Sequence, residues 1–295
     1  MTAGTPTGTL SDRANLLLSC LHEHHLLTTR QLQQLLLPTG RLRGMQKLLA
    51  LLVQRGLVAS VGHKAGRRNR QRVWYLTPAG VDVVQAVPGT RPSRSKPLTR
   101  QLAEGQLQHH TLAVNDVGIA FVQAARQRGD DCGPLGWQHE VVHRAGTRRT
   151  DVVISDAVLR YQRHPDQGFS VTYRFIELDR STTPVERLQA KLENYARAAS
   201  YTAQGAKREE WRERYLALPE VLLVLTGAPP GRLERRAANL VALCKSTPTL
   251  GDDPVIPISI CQLSELTEHG PHAAIFTRLG QPETQCDWRG EGGRA

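Results

Sequence analysis

Apolar positions at the start of the chain recur with a helical period and predict three short helices. Leu17, Leu18 and Leu21 fit one face of a helix from about residue 12 to 24, which Ser11 or Asp12 caps. Two further helices are predicted at about residues 30–37 and 40–54. The helix at about residues 30–37 ends before Pro38, and Gly56 is suited to end the helix at 40–54.

Two short apolar runs and a fourth helix follow. Residues 57–61 and 73–76 are predicted strands, and the connection between them is rich in Gly, Arg and Asn, as in a hairpin tip. Thr77 and Pro78 predict the start of a helix that ends near Ala86. Three helices, a hairpin and a closing helix resemble a winged helix-turn-helix. That resemblance implies that the third helix enters the major groove of DNA, while the hairpin tip contacts the backbone or minor groove.

The pattern changes again after this region. Residues 88–104 combine three prolines with Ser, Thr and cations, which predicts a basic linker. Residues 105–279 then follow the order αβββαβαβ, which predicts a mixed sheet flanked by helices. We therefore predict a winged-helix domain over residues 10–87, an α/β domain over 105–279, and flexible tails at 1–9 and 280–295.

The composition is that of a globular protein with a substantial core, because 40% of the residues are hydrophobic and 22% are charged. No apolar run reaches the roughly 18 residues that a membrane helix needs, and the N-terminus lacks a signal-peptide pattern. The five cysteines are widely spaced and form no CxxC pair, which argues against a disulfide framework or a zinc ribbon. We expect a cytoplasmic protein with no membrane partner.

The positive charge is concentrated in one region. The chain carries a formal net charge of +11, yet residues 24–103 alone carry +13, so the remainder is slightly acidic. This distribution predicts a polyanionic partner, which we take to be double-stranded DNA. The cations expected to contact DNA are Arg41, Arg43 and Lys47 on the third helix and Lys64, Arg67, Arg68 and Arg70 on the hairpin tip. A solvated basic face or a protein-binding winged helix is the alternative.

Acidic residues interrupt the predicted strands of the second domain. Strand alternation puts Glu177 and Asp179 on one face, and Asp156 lies within the preceding apolar run. If these two strands pair, Asp156 and Glu177 become neighbours, and Glu140 on the strand before them approaches the same edge. Neighbouring carboxylates repel each other and need a cation or a proton. Mg²⁺ is a suitable cation, because one or two carboxylates hold it while it contacts phosphate.

The order of elements and the placement of these acids resemble the PD-(D/E)XK restriction-endonuclease-like core. Residues 109–195 also resemble the replication-relaxation family of bacterial plasmid and mobile-element proteins. The matching segments are HHTLAVNDV, Glu140 after Trp137, SDAVL, FIELDRST and KLENY. The resemblance extends from about residue 10 to 280 and implies a nuclease-like fold. It further implies a role in plasmid DNA relaxation, replication or transfer. Other plasmid replication or transfer proteins, and further copies of the chain in an oligomer, are candidate partners.

The resemblance also implies roles for individual residues. Asp156 and Glu177 correspond to ligands of Mg²⁺ or Mn²⁺, with Glu140 and Asp179 as further candidates. The implied chemistry is metal-assisted phosphodiester hydrolysis, in which the ion activates water.

The chain departs from the nuclease pattern at two positions. Ser155 stands where the motif has proline, and Asp179 stands where it has its lysine. Either Asp179 serves as a ligand or general base, or Lys191 on the following helix reaches back and stabilises charge. A purely structural alternative pairs the acids with Arg180, Arg187 or Lys191. In that alternative Tyr195 belongs to the core.

Several other functions are disfavoured. The chain has no GxxxxGK[ST] motif, which argues against an ATP-driven motor. The histidine cluster at 22–25 is interrupted by Glu23, which disfavours a tyrosine relaxase with a three-histidine metal site. The leading hypothesis is a DNA-binding protein that nicks or relaxes DNA. Its alternatives are a non-catalytic DNA-binding initiator or regulator with a degenerate nuclease-like domain, and a winged-helix scaffold that recruits only protein.

Overall fold

A computed structural model describes residues 10–64, 70–90, 106–165 and 168–292. The chain divides into two compact units, residues 1–119 and 120–295, and the division falls inside one long helix. Most of the predicted linker at 88–104 and the predicted tail at 1–9 lie outside the described residues. None of the helices in the described part is both long and apolar enough to span a membrane.

Unit 1 begins with three helices, α1 (Asp12–His24), α2 (Thr29–Leu36) and α3 (Leu42–Gln54). Ser11 caps α1, because its hydroxyl accepts a hydrogen bond from the backbone N–H of Ala14. Thr28 and Gln31 form a capping box at the start of α2, in which each side chain accepts from the backbone N–H of the other residue. The apolar stripes predicted for the first two helices are largely buried, whereas Leu42 at the start of α3 is 45% exposed.

A three-stranded sheet and a fourth helix complete the first part of unit 1. The strands are β1 (Leu27–Thr28), β2 (Val58–Lys64) and β3 (Arg70–Leu76), arranged antiparallel in the order β1-β3-β2. Helix α4 (Pro78–Gln85) starts as predicted, with Thr77 as its cap and proline in the first turn. The hairpin of β2 and β3 therefore lies where the sequence predicted two strands and a turn.

The long helix α5 (Gln106–Arg128) contributes its first turns to unit 1. The buried amide of Asn115 donates to the backbone carbonyls of His24 and Leu26 at 3.3 and 2.7 Å. Gln31 donates to Asp116 Oδ1 at 2.7 Å, and Leu112 belongs to a buried cluster with side chains of β2 and β3. The segment HHTLAVNDV, which the sequence assigned to the second domain, thus completes the core of the first unit. The predicted boundary at residue 105 lies before this segment.

Unit 2 is built on one seven-stranded mixed sheet in the order β10-β9-β8-β7-β6-β5-β4. Its strands are β4 (Trp137–Arg144), β5 (Val152–Arg163), β6 (Ser170–Asp179), β7 (Glu220–Leu225), β8 (Ile258–Gln262), β9 (Phe276–Arg278) and β10 (Gln281–Cys286). Strands β6, β7 and β8 are mutually parallel, and the other neighbouring pairs are antiparallel. Helices α6 (Val185–Ser200) and α7 (Pro230–Lys245) form the two crossovers between the parallel strands, and a short helix α8 (Leu263–His269) follows β8.

Different helices pack on the two faces of the sheet. Val158 of β5 and Phe175 of β6 belong to one buried cluster with Leu188 and Leu192 of α6. Tyr161 of β5 lies on the opposite face, because strand residues an odd number of positions apart point in opposite directions. Its ring contacts Phe121 of α5, with the ring centroids 6.2 Å apart. Asp156 and Glu177 fall on the α6 face by the same alternation.

The end of the described chain differs from the prediction of a flexible tail over 280–295. Strands β9 and β10 form a hairpin whose turn contains Gly280 at φ +89°, where a side chain would collide with the carbonyl of Asp252. Trp288 is buried, and the guanidinium of Arg174 lies 4.8 Å from its ring centroid. The sequence missed β10 because the strand is exposed along most of its length and polar, without the alternation that marks a half-buried strand.

Candidate functional site

Two acidic side chains come together where strands β5 and β6 run side by side. The last pair of the ladder joins Ala157 to Ile176, so Asp156 comes next and lies opposite Glu177. Asp156 Oδ2 accepts a hydrogen bond of 2.7 Å from the backbone N–H of Leu178. Opposite residues of a ladder share a face, so both carboxylates project from the same side of the sheet.

Helix α6 brings two donors to these carboxylates, spaced by about one helical turn. The Lys191 ammonium donates to Glu177 Oε1 and lies 4.0 Å from Asp156 Oδ1. The Tyr195 hydroxyl donates to Glu177 Oε2 at 3.1 Å, so each oxygen of Glu177 has a donor. The Tyr195 ring is fully buried and stacks on Phe175, with the ring centroids 5.4 Å apart. The structure therefore brings Lys191 to both acids, a contact that the catalytic and the structural alternatives from the sequence both include.

Burial makes Glu177 difficult to ionise. Its side chain is 7% exposed. Burial, together with the nearby charge of Asp156, raises the pKa of Glu177 to about 7, against the opposing effects of Lys191 and Tyr195. Burial and the carboxylate of Glu177 also raise the pKa of Tyr195 well above its ordinary value, which keeps the phenol a neutral donor. Two carboxylates therefore share one lysine, and a further cation or a proton balances the charge.

The raised pKa of Glu177 predicts a pH-dependent stability in the absence of metal. The folded chain keeps a proton on Glu177 up to about pH 7, whereas an unfolded chain releases it near pH 4.5. Folding stability is therefore lost as the pH rises through this window. Glu177→Gln has no such proton to lose, so its stability relative to the native chain should increase by about 2 kcal/mol between pH 5 and 8. Urea unfolding in EDTA measures this difference, and a constant difference across the range would contradict the assignment.

Asp179 lies two residues further along β6 but has a different partner. Both of its oxygens accept hydrogen bonds from the guanidinium of Arg236 on α7, including one of 3.0 Å from Nη2 to Oδ1. The same Nη2 donates to the carbonyl of Thr183 at 2.6 Å, and the backbone N–H of Ser181 donates to Asp179. The acid thus fastens the loop between β6 and α6. A role of Asp179 as metal ligand or general base stays a prediction, and it requires this ion pair to open.

Glu140 occupies an irregular position in β4. His139 pairs with Ala157 and Val141 with Ser155, which leaves Glu140 and Asp156 at the same level of the two strands. The backbone of Glu140 has φ +51°, in the left-handed region that residues other than glycine seldom adopt, and the residue is exposed. Within the described residues, no three His, Cys, Asp or Glu side chains form a metal-binding group. The four acids predicted as metal ligands therefore do not form one group. Asp156 and Glu177 are the two of them that share a partner, Lys191.

Five of the seven cations predicted to bind DNA lie within the described residues. Arg41 precedes α3, Arg43 and Lys47 lie on it, and all three are exposed. Lys64 ends β2 and Arg70 begins β3, so both belong to the outer end of the hairpin. Arg67 and Arg68 lie outside the described residues.

A sequence profile with the description replication-relaxation matches residues 18–210, which is more than half of the chain. The chain belongs to the replication-relaxation family. The matched residues begin within α1 and include all of α5 and the whole of the Asp156–Glu177–Lys191 cluster. Membership of the replication-relaxation family therefore applies to the segment that carries the candidate site. None of the curated proteins matches the chain.

Two solved structures of the restriction endonuclease FokI also align with this family member. One is bound to DNA, with 12% identity and a TM-score of 0.28. The other has 13% identity and a TM-score of 0.32. Each alignment covers 90% of this chain and 46% of the FokI chain, so this chain spans about half the length of the structures it matches. Scores this low do not establish a common fold.

The donor set of this family member fits a divalent cation of the magnesium type. Mg²⁺ takes one or two protein carboxylates and completes its shell with water and phosphate oxygens. Asp156 and Glu177 supply two carboxylates, and the side chain of Asp156 is 17% exposed, which leaves it open to solvent. Because the two acids share Lys191, which carries one positive charge, an additional cation would relieve their repulsion.

Two residues of the site were not identified as functional from the sequence. Tyr195 was assigned to the core, yet its hydroxyl also holds Glu177. The spacing of Lys191 and Tyr195, four residues apart on one helix, is a signal from which this shared contact follows. Arg236 offered no such signal, because it is 57 residues from Asp179 and α7 is placed by the strand crossover. The structural alternative had named Arg180, Arg187 and Lys191 as partners of these acids.

Proposed function

We propose that this member of the replication-relaxation family binds double-stranded DNA through unit 1 and hydrolyses phosphodiester bonds through unit 2. The process it serves is the replication, relaxation or transfer of a plasmid or mobile element. The observation that carries the proposal is the convergence of Asp156 and Glu177 on Lys191. A nuclease-like core requires two acids and a lysine at one point of a sheet. The five cysteines are buried and none of them forms a disulfide, which supports a cytoplasmic setting.

Each side chain of the cluster has a separate task in this proposal. Asp156 and Glu177 would hold Mg²⁺ or Mn²⁺. When bound, the ion supplies Lewis-acid activation of water and of the phosphate. Lys191 has a side chain that is 32% exposed and an ammonium beside both acids, so it can neutralise charge on the phosphate. Tyr195 keeps Glu177 in one orientation, because its buried ring has no room to move the hydroxyl away.

The DNA-binding part of the proposal assigns a winged helix-turn-helix to unit 1. Its support is the order of elements: a helix, a short strand, two helices, a two-stranded hairpin and a closing helix. Exposed cations at the start of α3 add to this support, since the corresponding helix of such a fold lies in the major groove. The basic charge of residues 24–103 supplies attraction to phosphates.

The proposal is tested with the purified chain and supercoiled plasmid. We expect conversion to the open circular form with Mg²⁺ or Mn²⁺, and none in EDTA. Binding to duplex DNA should weaken with salt. If about six cations meet phosphates, the logarithm of the association constant falls against the logarithm of salt with a slope near −5. A slope near zero would contradict duplex binding, and absence of nicking with either metal would contradict hydrolysis.

A second candidate function is a non-catalytic DNA-binding initiator or regulator. Asp179 favours it, because this residue stands at the position of the motif's lysine and is held in an ion pair with Arg236. The absence of a three-residue metal-binding group among the described side chains points the same way. Duplex binding with the expected salt slope, combined with no nicking under either metal, would establish this second function.

A further inference from the structure

A groove of about 980 Å³ lies in unit 1 between helices α2 and α3 and strand β3. None of the described residues that line it is acidic. Its polar side chains include four amides and two guanidinium groups, from Gln33, Gln46, Gln54, Gln71, Arg30 and Arg72. Two of the lining residues hold each other in place, since the indole N–H of the buried Trp74 donates to the hydroxyl of Thr29 at 2.9 Å. A groove with this lining favours a partner that is anionic and rich in hydrogen-bonding edges.

The exposed surface of α3 consists of two stripes. Leu42, Gln46, Ala50 and Val53 follow the helical repeat and line the groove. Arg43 and Lys47 form the neighbouring stripe, are exposed, and are not among the lining residues. The helix buries Met45, Leu49 and Leu52 on its inner side. The part of α3 that lines the groove therefore carries two amides, Gln46 and, at the end of the helix, Gln54, among apolar side chains, while both cations of the helix lie beside it.

These stripes differ in the DNA chemistry that they can recognise. An amide pairs with the N6 and N7 atoms of adenine, and small apolar side chains contact the methyl group of thymine. Guanine is recognised mainly by arginine or lysine, neither of which occurs on the groove stripe of α3. Arg30 and Arg72 lie on the other walls of the groove, where the sugar-phosphate backbone passes when a helix enters the major groove.

We infer that the groove stripe of α3, with Gln46 at its centre, determines DNA sequence specificity by contacting A·T base pairs, whereas Arg43 and Lys47 contact phosphates. This inference rests on the duplex binding in the proposed function. It divides the roles among residues of one helix, which the sequence treated as a single basic surface. The occupant of the groove is one strand of duplex DNA, because the lining is basic and amide-rich and the surrounding region carries +13.

The test compares Gln46→Ala with Lys47→Ala, which are adjacent exposed positions on the same helix. The native chain first selects its preferred site from a pool of random-sequence duplexes. Affinities are then measured for the selected duplex and for a scrambled duplex of equal composition at several salt concentrations. Circular dichroism checks that each variant is folded.

We expect the selected site to contain A·T pairs at its centre. Gln46→Ala should reduce the ratio of selected to scrambled affinity by about tenfold to a hundredfold and leave the salt slope unchanged. Lys47→Ala should weaken both duplexes equally and reduce the salt slope by about 1. A selected site made only of G·C pairs, or a ratio that falls with Lys47→Ala and not with Gln46→Ala, would overturn the inference.

Other results also decide the matter and separate it from the proposed function. Duplex binding with a steep salt slope and no enriched sequence would overturn the inference and leave the proposed function standing. A salt slope near zero for every duplex would overturn both. If Leu42→Ser changes the sedimentation of the free protein while the affinity ratio stays constant, the groove is an interface between copies, and the inference is wrong. Nicking activity plays no part in these measurements.

Discussion

Asp156→Asn and Glu177→Gln should each lower the rate of metal-dependent nicking by about 10²- to 10³-fold. Both changes replace a carboxylate by an amide of the same shape, so they remove negative charge and leave packing intact. With one carboxylate left beside Lys191, the site attracts a divalent cation weakly and has less negative charge to set against the ammonium. The rate of conversion of supercoiled to open circular plasmid at saturating Mg²⁺ measures the loss.

The matched control for this experiment is Glu234→Gln. Glu234 is an exposed acid on α7, so the same change of charge occurs there on the surface. Its nicking rate should equal that of the native chain within about twofold. If Asp156→Asn or Glu177→Gln retained most of the native rate, the assignment of these acids to hydrolysis would be wrong. A loss of equal size in Glu234→Gln would mean that overall charge, rather than the site, controls the rate.

Arg236→Met should destabilise the protein by about 3–5 kcal/mol, because it leaves a buried carboxylate without its partner. The side chain of Asp179 is 4% exposed, and that of Arg236 is 13% exposed. The loop between β6 and α6 also loses the hydrogen bond from Arg236 to the carbonyl of Thr183. Urea unfolding followed by circular dichroism measures the loss of stability.

Two further variants identify the cause of this loss. Arg235→Met removes an exposed cation at the neighbouring position of α7 and should change stability by less than about 0.5 kcal/mol. Asp179→Asn combined with Arg236→Met removes both charges, so it should be less destabilised than Arg236→Met alone. Equal losses in Arg235→Met and Arg236→Met would show that the ion pair has no special part in stability.

The central part of the candidate site could be predicted from the sequence because its geometry is local. Strands β5 and β6 are consecutive and antiparallel, so alternation alone places Asp156 beside Glu177. Lys191 follows within the next helix, one crossover away, and the resemblance to nuclease-like cores named it as a candidate. The helices of unit 1 were predicted for a similar reason, since caps and apolar stripes act over a few residues.

What could not be predicted depends on contacts between distant segments. The partner of Asp179 is set by the position of α7, which depends on how β6 pairs with β7 and β7 with β8. The first turns of α5 carry apolar and amide side chains, and nothing in their pattern tells which unit they complete. Strand β10 lies at the edge of the sheet, where one row of backbone hydrogen bonds and few buried side chains suffice to hold a strand, so its sequence needs no apolar alternation.

Helix α5 restricts how this chain can be rearranged in evolution. Its first turns supply Leu112 and Asn115 to the core of unit 1, and its later turns supply Phe121 to unit 2. A recombination event within residues 88–104 would therefore separate unit 1 from part of its own core. The family match also runs without interruption through this helix. We expect the two units to be inherited together, and gene fusions to occur outside the two units that α5 joins.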